Sequence, residues 1–72
     1  MLTETRKEII KFIKYFIYRH GFSPSVMDIS KELDVYPNGI HGHIKILERD
    51  GYITKSAGVA RSIRLTEKGE SL

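Results

Sequence analysis

Three apolar stripes at helical spacing, the last two only three residues apart, are followed by a short alternating segment rich in Arg and Lys. Together they predict a mainly α fold with a small β-hairpin, arranged as a three-helix winged helix-turn-helix. With 72 residues the chain makes one small domain, which buries only about 60% of its unfolded surface and must use its apolar residues economically. The expected domain covers residues 1–66, with 67–72 as a polar tail that frays.

The first helix starts at Thr3 or Thr5, and Thr5 with Glu8 has capping-box spacing. Ile9, Ile13, Phe16 and Ile17 recur at helical intervals, and Ile10 and Phe12 widen the stripe. Lys7, Lys11 and Lys14 fall on the other side, and Gly21 ends the helix. Phe12, Tyr15, Phe16 and Tyr18 read as core and near-core packing in preference to a base-stacking platform. Ser25 is placed to cap a second helix over 26–33, with Asp28 at its third position and Val26, Ile29 and Leu33 inward. Asp34-Val35-Tyr36 forms the turn, without the glycine frequent there.

Pro37 opens the third helix, which runs to about Asp50 before Gly51. At 100° per residue, Ile40, Ile44 and Leu47 share one narrow face. Asn38, Gly42, Lys45 and Arg49 lie opposite, flanked by Gly39 and His41. His43 falls nearer the core and reads as structural, while Ile46 has no evident role. Tyr52–Lys55 and Arg61–Leu65 read as strands around a Ser56–Ala60 turn, with Ile63 and Leu65 inward.

The composition excludes several functions. There is no cysteine, hence no disulfide, thiolate zinc site or cysteine nucleophile. Apolar runs are too short for a membrane span or signal peptide, which points to a cytoplasmic protein. His41 and His43 stand two apart and diverge around a helix, so no metal site is expected. Neither a nucleophile elbow nor a phosphate loop occurs, and no enzyme, cofactor or small-molecule ligand is implied. The net charge is +3, and residues 37–64 hold five basic residues against two acids. That excess lies on the third helix and hairpin, where a polyanion would dock.

These features favour double-stranded DNA as partner. The exposed face of the third helix suits a major groove, its N-terminal half nearest the base edges. Asn38 can pair with adenine or serve helix-start hydrogen bonds; His41 can pair with guanine or cytosine or remain a solvated surface histidine. Gly42 and Gly39 each cost about 1 kcal/mol against alanine in a helix, a cost that close approach to DNA would explain. Lys45 and Arg49 suit phosphates better than bases. On the hairpin, Lys55, Arg61 and Arg64 are candidate backbone contacts, and Ser25 lies at a helix start able to receive a phosphate. The competing reading is a winged-helix module that binds protein and not DNA.

Phe22-Ser23-Pro24-Ser25-Val26, Ile29, and Ile40-His41-Gly42-His43-Ile44-Lys45-Ile46-Leu47-Glu48-Arg49-Asp50-Gly51-Tyr52-Ile53 resemble the DNA-binding domain of LexA repressors. The His-Gly-His run is similar to the Gram-positive branch. Leu2-Thr3 and Arg61-Ser62-Ile63-Arg64-Leu65 fit the same register, so the resemblance covers residues 2–66. It implies a repressor that binds a palindromic operator as a dimer, using the third helix and the wing. It also implies base reading by Asn38, Gly39, His41 and Gly42, with Arg61 from the wing. Tyr36 departs from the family, which favours a small polar residue before Pro37. Full-length members continue into a latent protease domain with a Ser-Lys dyad and a cleavable Ala-Gly bond. The 72 residues carry neither, so self-cleavage and the family's main dimer interface are not expected of them.

Overall fold

In a computed structural model that describes residues 2–72, the chain folds as α1 (Glu4–His20), α2 (Val26–Leu33), α3 (Pro37–Arg49), β1 (Ile53–Thr54), β2 (Arg64–Leu65) and α4 (Glu67–Glu70). Thr3, the first of the two expected caps, starts α1 by accepting the Arg6 N–H, and Gly21 closes it in the left-handed region. At α2 the expected capping box is complete. Ser25 Oγ accepts from Asp28 N at 3.0 Å, and Asp28 Oδ2 accepts from Ser25 N at 3.0 Å.

The turn between α2 and α3 is closed by side chain as well as backbone. Asp34 takes the left-handed conformation (φ 54°) that a glycine would usually supply, which aspartate tolerates better than most residues. Ser30, nearly buried, donates its hydroxyl to the Val35 carbonyl at 2.5 Å. A Cβ on Gly39 would lie 3.1 Å from Val35 Cγ1, so the turn is tight at this glycine.

The core comprises Ile9, Ile10, Ile13, Ile29, Ile40, Ile44, Leu47, Ile53 and Ile63. It joins all three long helices to the hairpin, as the apolar stripes require. Two aromatic expectations fail: Tyr15 and Tyr18 are 57% and 88% exposed. Ile9, Ile10 and Ile13 fill the inner face of α1 with Phe12 and Ile17 at its margin, so the two tyrosines face solvent. Phe16 packs edge-on to Phe12 and Phe22, at 5.7 Å between ring centres in each pair.

The hairpin is shorter than its sequence pattern suggests. Only Ile53↔Leu65 and Thr54↔Arg64 pair, antiparallel. Gly58 and Arg61 both have positive φ, which ends the extended run on the returning side. The wing is held instead by the Ser62 hydroxyl, which accepts from Ser56 N at 3.0 Å and faces the Val59 carbonyl at 2.8 Å.

The C-terminal segment, expected to fray, folds as α4. Thr66 caps it, and Lys14 Nζ donates to the Glu70 carbonyl at 3.0 Å. Lys68 Nζ reaches the Asp50 carbonyl at 2.8 Å and sits 4.4 Å from the Tyr52 ring centre. Gly69 is buried, and a Cβ there would overlap the Tyr52 carbonyl, so close approach is what requires the glycine. Polar composition concealed this docking because the contacts are tertiary.

Candidate nucleic-acid interface

α3 presents its face as its periodicity demands. Ile40, Ile44 and Leu47 are buried, while Asn38, Gly39, His41, Gly42, Lys45 and Arg49 are exposed. Its first turn has no side-chain cap and no acid, and Pro37 stands at its start. The first N–H groups of that turn therefore have no side-chain cap and no acid within the turn itself.

His41, Gly42 and Lys45 line one side of a cleft whose other side is formed by Lys55, Ala57 and Gly58 of the wing. A second cleft continues from it between the wing and the start of α2. It is lined by Ser25, Met27, His41, Lys55 and Val59 among others. His41 and Lys55 border both, so the surface is continuous. A Cβ on Gly42 would meet nothing within 4 Å. Nothing within the described residues explains the glycine there, and its helical cost is not offset by packing.

Two expected residues are placed otherwise. Arg61 Nη1 lies 2.8 Å from Asp28 Oδ2 and 3.2 Å from the Ser23 carbonyl, with its guanidinium 5.4 Å from the Phe22 ring centre. It is thus drawn to the α2 start instead of projecting freely from the wing. The pair is partly exposed and contributes on the order of 1 kcal/mol. Arg64 borders a groove with Lys14, Ile17, Tyr18 and Glu70, away from the α3 cleft, because strand alternation turns it from the Ile63 side. Arg49 projects from the last turn of α3 and pairs with Asp50 at 3.0 Å.

The electrostatics divide along the same lines. A backbone hydrogen bond from Ser25 and the Arg61 guanidinium hold Asp28 below the ordinary carboxylate value of 3.8. His43, on the inner side of α3, is held below the ordinary 6.5 by burial and by the charge of Arg6 on α1. It is therefore neutral at pH 7 and adds no charge to the reading face, in keeping with a structural role. Its Nδ1 is buried and has no hydrogen-bond partner among the described residues. No group of three or more His, Cys, Asp or Glu side chains among them could hold a metal ion, and no helix is long and apolar enough to cross a membrane.

Met27 and Val59, 52% and 54% exposed, also border the cleft. Sequence reasoning missed both. The phase of Met27, outside the Val26-Ile29-Leu33 stripe, was the available signal; Val59, in a turn, offered none.

Helix-turn-helix, open α3 face and adjoining wing define a winged helix-turn-helix of the DNA-binding class. The family model described as the LexA DNA binding domain matches residues 1–62, and the chain belongs to that family. It is 42% identical over 71 residues to a LexA repressor of Thermosipho melanesiensis, covering 99% of this chain and 36% of the relative. It is 35% identical over 66 residues to the LexA repressor of Thermotoga maritima, covering 92% and 34%. The chain thus spans about a third of the length of these curated relatives. A solved transcriptional regulator from Thermotoga maritima superposes with a TM-score of 0.76 at 30% identity, covering 97% of this chain and 47% of the other.

Proposed function

We propose that this chain is the double-stranded DNA-binding element of a LexA-like transcriptional repressor that acts in the cytoplasm on a palindromic operator, one copy per half-site. The observation that carries the reading is the Gly42 position. A mid-helix glycine with empty space outside it, beside His41 and Lys45 and facing a lysine of the wing, suits a helix approached closely by a groove floor.

In this reading α3 enters the major groove, with Asn38 and His41 on base edges and Gly39 and Gly42 keeping the backbone near them. Lys45, Lys55 and Arg49 neutralise phosphates along the flanks, and the Ser25 hydroxyl and the open first turn of α3 donate to others. Met27 and Val59 offer apolar contact to sugars or thymine methyls. Two copies would dock on half-sites about one helical turn apart.

The test is fluorescence anisotropy of the chain against a LexA-type palindromic operator and a scrambled duplex across a salt series. Operator binding that stays tighter as salt rises supports sequence reading, and Asn38→Ala should then narrow the gap between the duplexes. Equal, steeply salt-dependent binding to both would reduce the surface to a nonspecific basic patch. Absence of binding at low salt would instead favour a protein partner.

A further inference from the structure

We infer that Arg61 is a positioning residue: it clamps the wing to the start of α2 through Asp28 and Ser23, and it is not itself a phosphate ligand. The inference rests on the DNA-binding reading above for what the clamp serves.

Four observations converge on it. Arg61 Nη1 is 2.8 Å from Asp28 Oδ2 and 3.2 Å from the Ser23 carbonyl. Two residues on, the Ile63 N–H donates to Ser23 Oγ at 3.1 Å, and Ser23 is fully buried. The returning limb of the wing is therefore fastened at two points to one short segment ahead of α2. Arg61 also holds a φ of 54°, which a non-glycine side chain rarely adopts. Such a conformation persists where surrounding contacts over-determine it, and here the guanidinium contacts do so. Finally, the same Asp28 oxygen accepts the Ser25 N–H at 3.0 Å, so the clamp and the α2 capping box share one carboxylate.

A phosphate that took over Arg61 Nη1 would displace a carboxylate already in contact. That would leave Asp28 anionic and unpaired beside a polyanion. Arg61 itself borders the cleft that His41 lines, and there the clamp fixes the limb bearing Val59 and Ala60.

The experiment compares the chain with Arg61→Gln, Asp28→Ala, the double variant and Lys45→Ala, each verified as folded by circular dichroism at the assay temperature. Operator affinity is measured across a salt series, and amide hydrogen exchange is followed in the DNA-free proteins. Asp28→Asn, which keeps a capping acceptor, replaces Asp28→Ala should the latter not fold. The expected result for Arg61→Gln is roughly tenfold weaker binding with an unchanged slope of log K against log salt. Arg61→Gln should add nothing further in the Asp28→Ala background, and the Ile63 amide, bonded to Ser23 Oγ, should exchange faster without DNA. A slope shallower by about 0.9, with the same loss in both backgrounds, would make Arg61 a phosphate ligand and overturn the inference. Unchanged exchange at Ile63 would overturn it as well. Lys45→Ala serves as the separate check, since failure to flatten the slope would displace the DNA surface while the exchange data still judge the clamp.

Discussion

α2 and α3 pack on the same core and start only eleven residues apart, yet their first turns are opposites. At α2 every device for closing a helix start is present: a serine cap, an aspartate returning to the cap N–H, and a guanidinium on that aspartate. At α3 the cap position is Tyr36, 87% exposed and making no capping bond, followed by Pro37 and two small or polar residues. A helix start left uncapped forgoes roughly 1 kcal/mol. The closed turn holds the wing; the open one is where a phosphate can supply the missing acceptor. The division lies in how backbone donors are satisfied, and charge count alone would not show it.

Filling the Gly42 space should sharpen the contrast most. Gly42→Leu adds bulk only on the outside of α3, so the fold should keep or slightly gain stability by thermal melting. Operator affinity should fall roughly 100-fold, about 2.7 kcal/mol. Retained affinity would place the groove elsewhere. Tyr36→Asp supplies the absent cap. It should stabilise the domain by about 1 kcal/mol in urea unfolding while weakening operator binding roughly tenfold, since an acid then occupies the place of a phosphate. Tighter binding would break the comparison. Ser25→Ala attacks the closed turn instead, with an expected loss of about 1 kcal/mol of stability and an unchanged salt slope, because no charge is removed.

Acidification should give the smallest effect, in two windows. The folded-state value of His43 lies below 6.5, so the unfolded chain binds more protons once the pH falls below about 6.5, and stability declines from there. The contribution of Asp28 is fully present above its ordinary 3.8 and is lost only as the pH falls further, through its lower folded value. Melting curves of His43→Gln from pH 7 down to about 2 should show the first decline abolished and the second intact.

Helix limits, the α2 capping box and most of the core were legible in the sequence because they are local. Caps act over three residues, and stripes repeat every three or four. The family was legible for a related reason, since its signature runs through α2 and α3. The ties of Arg61 to Asp28 and Ser23 span 33 and 38 residues, and no periodicity announces them. Arg64 was grouped with the other wing cations because the groove it borders with Lys14 and Glu70 is tertiary, and no periodicity shows it. The tail looked like a frayed end because its residues are polar, which left Gly69 without a role. Its actual role, admitting the Tyr52 carbonyl, belongs to packing.

Eight of the nine buried core side chains are isoleucine, six of them on the three long helices. Branching at Cβ leaves such a side chain essentially one χ1 state in a helix, so little rotamer freedom survives in this interior. The domain therefore rests on a stiff, crystal-like backing, and α3 has already surrendered its disorder before any duplex arrives. Whatever adjustment a groove demands must come from the wing tip at Ala57 and Gly58, which neither strand pairing nor burial restrains. Discrimination between operators would then depend on how well DNA conforms to a rigid template.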